Sequence, residues 1–334
     1  MKILVTGVAG FLGSHLADYF ISTGVKVVGI DNLIGGYEEN VPKGVEFYKV
    51  DLSLLSDIEP IFKGVDTVIH AACTAYEGLS VFSPDLVVKN TMQITASTLS
   101  AAVSGGVRKF VFLSSMARYG TQKTNPFTES MTPNPQDPYG IAKYGSELLV
   151  RNICQTHGLK YVILVPHNII GPRQKYDDPF RNVASIMINR MLQSKQPIIY
   201  GDGEQKRCFS FIEDVVSPIA KAVNSNVVDG QVVNIGPDEE FISINYLAKI
   251  IAKELDFELQ PIYHPERPQE VYLANCSADK ARKLLAYNTT TFLEEGIRKL
   301  VEWIKVNGSK EFKYHLPIEI KNTKTPKTWT DKLI

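Results

Sequence analysis

"KILVTGVAGFLGSHLADYFISTGVKVVGID" (residues 2–31) sets two short apolar runs, 2–7 and 26–31, around a longer stretch, 11–24, that stops at Gly24. The runs are hydrophobic throughout, as strands buried on both faces are. The stretch between them has helical spacing and ends on a glycine. Strand, helix and strand in succession predict a parallel sheet. Further apolar runs at 45–51, 66–72, 109–115 and 160–166 repeat the theme, with helical patterns at 84–104 and 138–156. The expected fold is α/β, a doubly wound parallel sheet covered on both faces.

Beyond Asn168 the pattern loosens. Helical stretches (179–194, 213–224, 243–255, 277–286, 290–306) mix with short strands (198–200, 231–235, 258–263). This predicts a smaller mixed α/β C-terminal lobe. We expect a nucleotide-binding part over 1–167, an interleaved second lobe over 168–309, and an extended tail over 310–334. The tail should be pinned to the body by Leu316, Ile318, Ile320 and Trp329.

The 334 residues include 44% apolar residues, enough for a real core, and 36 basic against 36 acidic side chains. Nothing in that balance suggests a nucleic-acid or membrane-surface protein, and it leaves room for basic groups clustered in a pocket for an anionic ligand. No apolar run reaches the roughly 18 residues of a membrane span. Cys73, Cys154, Cys208 and Cys276 are scattered without metal or disulfide spacing. Reduced thiols, no metal, no signal peptide and a cytoplasmic location are the expectation.

The turn "GVAGFLG" (7–13) carries the first chemistry. Gly7 permits the tight turn, Gly10 lets a pyrophosphate approach the backbone, and Gly13 lets helix and strand pack closely. The helix start supplies amide donors and a partial positive charge. Asp31, closing the second run, can accept from both ribose hydroxyls of an adenosine, and its charge repels a 2′-phosphate. NAD is therefore expected over NADP. Asp51 closes the third run within reach of the adenine. "HAAC" (70–73) offers small residues, Ala71 and Ala72, where the dinucleotide would lie. His70, at the end of a buried strand, reads as a packed or hydrogen-bonded side chain.

"DPYGIAKYGSE" (137–147) puts Tyr139 and Lys143 on one helix face. A free tyrosine titrates near about 10, too high for a base at neutral pH. A neighbouring ammonium, or a nicotinamide cation, favours the phenolate. Tyr139 could then take a proton from a sugar hydroxyl. Ser115, ending the fifth run in "LSSMARYG", comes in at the same sheet edge.

"GVAGFLG", "SSMARYG", "YGIAK" and "PHNIIGPR", in this order and spacing, resemble the extended short-chain dehydrogenase/reductase family, nucleotide-sugar epimerase branch. The resemblance covers residues 1 to about 306. It implies a Rossmann domain that keeps NAD tightly bound and a lobe that holds a nucleoside-diphospho-sugar, a UDP-sugar or a GDP-sugar. It implies Ser115, Tyr139 and Lys143 as the catalytic trio. Phe11, Leu12, Asn32, Leu52 and Asn90 join Gly7, Gly10, Gly13, Asp31, Asp51, Ala71 and Ala72 as cofactor contacts. It also implies substrate contacts at Asn168, Asn182 and Val183, with Tyr200 on the base. Arg207 and Arg267 would meet the diphosphate, and Glu270 a ribose. Ala274 is the position that limits pocket size.

The residues after the serine separate the reactions of the branch. Dehydratases carry Thr-Asp-Glu there, the decarboxylating members a Glu at the third position, and 3,5-epimerases a Cys. Ser115-Met116-Ala117 has no such proton carrier. What the resemblance then implies is a 4-epimerase on UDP-glucose/UDP-galactose or the N-acetylhexosamine pair, with a small Ala274 admitting the latter. The alternatives are a nucleotide-sugar oxidoreductase or a uronate epimerase with the same trio. Arg118 departs from the family pattern. Facing the pocket it would select an acidic sugar; facing solvent or an interface, the favoured reading, it would not. The family also implies a homodimer through a four-helix bundle built from about 84–104 and 137–156.

Overall fold

The computed structural model describes residues 1–334. Seven strands form one sheet: β1 (Lys2–Thr6), β2 (Lys26–Asp31), β3 (Glu46–Lys49), β4 (Thr67–His70), β5 (Lys109–Leu113), β6 (Lys160–Pro166) and β7 (Val232–Ile235). Their order is β7-β6-β5-β4-β1-β2-β3, and every pairing is parallel. This is the doubly wound α/β arrangement expected from the hydrophobic runs. The chain reverses its direction of winding between β1 and β4, which opens a crevice at the carboxyl ends of the strands.

Seven helices have ten residues or more: α1 (Phe11–Ser22), α2 (Ile94–Ser104), α3 (Pro138–His157), α4 (Val183–Leu192), α5 (Ile212–Asn224), α6 (Ile244–Leu255) and α7 (Leu293–Asn307). Successive strand residues point to opposite faces. Ile3 and Val5 therefore join one core with Leu16 and Phe20 of α1 and Val215 and Ile219 of α5. Leu4 joins the other, with Leu99 of α2 and Val150 of α3. Both faces are fully covered, which is why the strands carry no polar alternation.

Two departures position the site. The stretch "VVNI" of β7 comes from the second half of the chain, yet it is fully buried against β6, Val232 opposite Ile163. The chain thus re-enters the first sheet after leaving it. The helix expected over 84–104 is also interrupted. Pro84–Val88 gives way to a wide turn over Lys89–Gln93, where Asn90 leaves helical geometry (φ −81°, ψ 15°) before α2 begins. Wide turns of this kind cluster at functional sites, and Asn90 lines the crevice.

Outside the main sheet, Ile198–Tyr200 pairs with Ile262–His264, and Lys206–Arg207 lies between Ile242–Ser243 and Leu273–Ala274. The tail over 310–334 crosses the surface in mostly extended form. Leu316 and Trp329 are buried, and Ile318 packs beside them, against Tyr76, Phe82 and Phe180. Ile320, expected as a fourth anchor, is 43% exposed; its neighbour Glu319 holds that point instead, accepting from the backbone amides of Asp85 and Leu86 at 3.0 and 2.9 Å. A carboxylate at two free helix-start amides is favourable. No helix is long and apolar enough to cross a membrane.

Candidate active site

One cavity runs along the carboxyl edge of the sheet and under the second lobe, with about 2820 Å³ of space including its open mouth. Every site residue expected from the sequence lines it.

At one end the turn after β1 is sterically committed. A Cβ at Gly13 would sit 2.1 Å from the Gly7 carbonyl oxygen, and one at Gly7, where φ is +73°, would sit 2.9 Å from the Ala72 backbone. Only glycine fits either place. Asp31 is buried at the end of β2. It accepts from the Ala9 amide at 2.9 Å and the Leu33 amide at 2.7 Å. Burial pushes its carboxyl upward, and these amides oppose the shift. Asp51 accepts from the Ser53 amide at 2.9 Å, with Leu52 beside it. His70 bridges Thr6 and Thr95 at 2.8 and 3.1 Å, and burial first, then Lys143, push it down to about 3. It is a neutral structural link, as its place in the strand suggested.

In the middle lie Ser115, Tyr139 and Lys143. α3 begins where Asp137 accepts from the Gly140 amide at 2.9 Å, with Pro138 in the first turn. That cap aims Tyr139 into the cavity. Ser115 follows β5 and accepts from the Ala117 amide at 3.2 Å. Lys143 donates to the Leu113 carbonyl at 2.7 Å and stands 6.0 Å from the Tyr139 ring centre. Here the sequence expectation needs correction. Burial raises the Tyr139 phenol well above its usual range, Cys73 adds to this, and Ser115 opposes it. The ammonium is held by a backbone carbonyl instead of acidifying the phenol. Among the chain's own groups, Tyr139 keeps its proton.

At the other end two guanidiniums share one carboxylate. Arg267 is bonded to Glu270 at 3.1 Å, and Arg207 stands 3.6 Å from it. Burial raises the Glu270 carboxyl, but the two arginines outweigh it and hold it below its usual range. Glu270 is therefore engaged by arginines, where a ribose contact was expected. Arg267 also covers the Tyr200 ring at 4.8 Å. Asn168 donates to the Cys208 carbonyl at 2.9 Å, and Asn182 caps α4 through the Ala184 amide at 3.3 Å, next to Val183. Ala274 lies beside Arg207 on the neighbouring strand.

Arg118 takes neither of its two expected orientations. It is 2% exposed and forms an ion pair with Glu147 at 2.8 Å, with the Tyr119 ring at 4.8 Å. Glu147 also accepts from Ser114 at 2.5 Å. The guanidinium is thus buried behind the serine turn, outside the cavity. Paired burial is the one circumstance in which such a charge goes inside.

Three features escaped the sequence reading. Glu77 faces the cavity: solvent reaches it there, although protein surrounds it. Burial, then Asp137, push its carboxyl up to about 7, with Arg207 and Arg267 opposing. Arg181 lines the same cavity near Tyr139. The tail reaches the cavity too: Thr328 and Tyr200 share a hydroxyl hydrogen bond of 2.5 Å, and Trp329 packs 5.4 Å from Phe180. None has a local signal, because each acquires its neighbours from distant segments.

Comparison with known proteins gives concordant findings. Residues 3–236 match the family described as NAD dependent epimerase/dehydratase. A Methanocaldococcus jannaschii relative, provisionally named a UDP-glucose 4-epimerase, is 37% identical over 92% of this chain and 99% of its own. The Thermotoga maritima UDP-glucose 4-epimerase, solved with UDP-glucose, superposes with a TM-score of 0.87 at 34% identity, covering 92% of this chain and 99% of that one. The Bacillus cereus UDP-glucuronic acid 4-epimerase, solved with UDP-glucuronic acid and NAD, gives 0.86 at 29%, covering 92% and 100%.

Proposed function

This chain belongs to the NAD dependent epimerase/dehydratase family, and on that premise we propose that it is an NAD-dependent nucleotide-sugar 4-epimerase. One observation carries the reading. Tyr139, Ser115 and Lys143 meet in a cavity with the glycine turn, and the two residues after the serine, Met116 and Ala117, carry no group able to move a second proton. Chemistry limited to one proton and one hydride at one carbon suffices for 4-epimerisation and leaves out dehydration and decarboxylation.

The residues present fit the dinucleotide. Gly7, Gly10 and Gly13 let the turn close tightly on the helix start, because a Cβ at any of them would press on the backbone of Gly7 or Ala72. Phe11 and Leu12 begin the helix, and Asp31 stands buried at the strand end, where its carboxylate would accept from the ribose hydroxyls. Asn32, Asp51, Leu52, Ala71, Ala72 and Asn90 complete the lining. A dinucleotide held there would supply reversible hydride acceptance at the sugar carbon, with the hydride returned to the other face.

The chain does the rest. Tyr139 takes the 4-hydroxyl proton and gives it back. Its phenol is raised by burial, so a cationic nicotinamide beside it would favour the transfer, and Lys143, anchored on Leu113, would hold the nicotinamide ribose. Ser115 steadies the developing carbonyl. Arg207 and Arg267 exchange Glu270 for the substrate diphosphate, a charge-assisted contact of roughly 1.5–3 kcal/mol each. Tyr200 packs on a uridine or guanosine base, Asn168, Asn182 and Val183 hold the carrier and sugar, and Ala274 leaves space for an N-acetyl group.

Residues 1–167 bind the cofactor and 168–309 the nucleotide-sugar, with the tail closing the nucleotide end. The chain forms a cytoplasmic homodimer through the helices around 84–104 and α3. Ile141 and Leu148, two turns apart on α3, are 55% and 50% exposed, an apolar stripe that such a bundle would cover. Sedimentation of the purified chain tests the dimer; a monomer at micromolar concentration contradicts it. Incubation with UDP-glucose and no added NAD tests the activity. Conversion to the 4-epimer without net NADH supports it, and stoichiometric NADH or keto-sugar supports the oxidoreductase alternative instead.

A further inference from the structure

Arg181 has no anionic partner in the chain. Its guanidinium stands over the Tyr76 ring, 4.6 Å from the ring centre. The nearest acids are occupied. Asp178 accepts from the Tyr76 hydroxyl at 2.5 Å and the Phe180 amide at 2.9 Å. Asp177 pairs with Lys175 and Lys313 at 3.6 and 3.5 Å and accepts from Tyr37. Arginine keeps its charge under all ordinary conditions. Arg181 is half-buried at the cavity wall, and a cation there without an anion is open to an anionic ligand.

Its position limits what could neutralise it. One amino group lies 3.6 Å from where a Cβ on Gly35 would be, and the adjoining Gly36 abuts Ala9 and Gly10 of the glycine turn. The charged or titratable neighbours are Tyr76, Asp178, Cys73 and Tyr139. Arg207 and Arg267 have a different set, Glu270, Glu77 and one another. The cavity therefore holds two cationic centres: one balanced by Glu270, the other open between the glycine turn and Tyr139.

We propose that Arg181 is a second anion receptor of this cavity, pairing through its planar fork with an anionic oxygen pair of a bound ligand. Resting on the nucleotide-sugar reading, two ligand groups offer that chemistry at this place. One is the carboxylate of a uronate sugar, and the other is the pyrophosphate of the dinucleotide. In the first case the acid-selecting role that Arg118 could have filled falls to Arg181.

The test uses the whole enzyme and the substitutions Arg181→Gln and Arg181→Lys. NAD retained through purification, and binding of UDP-glucose and UDP-glucuronate to the NAD-saturated protein, are measured by extraction and titration calorimetry. If the sugar carboxylate is the partner, Arg181→Gln weakens UDP-glucuronate by about tenfold or more, with UDP-glucose and NAD unchanged. If the pyrophosphate is the partner, NAD retention falls by a similar factor and both sugars bind normally once NAD is resupplied. Either result supports the receptor, and Arg181→Lys restores part of the loss. Unchanged binding of all three in Arg181→Gln overturns it. So does an Arg181→Lys protein as impaired as Arg181→Gln in all three, since the role would then be steric. Turnover of UDP-glucose by the unaltered enzyme tests the epimerase reading separately and does not depend on Arg181.

Discussion

The proposed cofactor end of the cavity is assembled from residues that close consecutive strands: Gly7 after β1, Asp31 in β2, Ala71 and Ala72 after β4, Ser115 after β5. The substrate end draws Tyr200, Arg207, Arg267, Glu270 and Thr328 from segments as much as 128 residues apart. The first end is set by backbone geometry and tolerates almost no change. The second is set by side-chain ion pairs, such as Glu270 held between its two arginines. A rigid cradle suits a cofactor that stays, and an exchangeable ion-pair cluster suits a substrate that enters and turns over.

The largest test of this contrast lies where the two ends meet. Tyr139→Phe removes the one proton carrier, and kcat should fall about 10²–10⁴-fold while NAD content and melting temperature hold. Retained turnover would detach the chemistry from this residue. At the rigid end, Gly13→Ala pushes a Cβ to 2.1 Å from the Gly7 oxygen. A loss of about 1–3 kcal/mol in denaturant unfolding, with less NAD retained, is expected. A neutral Gly13→Ala would mean that the cradle yields.

The exchangeable end should respond more gently. Thr328→Val removes the hydroxyl bonded to Tyr200. KM for the nucleotide-sugar should rise about 2–10-fold with kcat unchanged, the value of one net hydrogen bond. A change in kcat alone would place the tail's influence elsewhere. The smallest effect concerns Glu77, whose carboxyl burial lifts to about 7. Below that pH it is neutral. Above it, a carboxylate stands near the proposed diphosphate site, so KM should climb between pH 6 and 8 and stay flat in Glu77→Gln. Linkage has the same direction: the folded state holds this proton more tightly than the unfolded chain. Its stabilising contribution is full below the unfolded value of 4.5 and lost as pH rises through 7. Glu77→Gln should therefore gain on the unaltered protein above pH 7 in a melting series.

The sequence made legible what is local. "GVAGFLG" and Asp31 are readable because strand, turn and helix are contiguous, and their chemistry depends on the backbone. "DPYGIAK" is readable because four residues make one helical turn. Position alone did not give the protonation state of Tyr139: Lys143 sits where expected, but the Leu113 carbonyl claims its ammonium. Arg118 was misjudged because its partner, Glu147, lies 29 residues on and meets it only through packing. β7 was seen as a strand, but its docking on β6 is a tertiary choice between two apolar surfaces. Glu77 and Arg181 look like ordinary surface charges until the fold folds a cavity around them.

The central claim is that one hydride leaves and returns to the same carbon inside this cavity. UDP-glucose carrying deuterium at C4, incubated with the purified enzyme in ordinary water, measures it. The account predicts a 4-epimer that keeps the deuterium at C4. Loss of the label to solvent during conversion would contradict it.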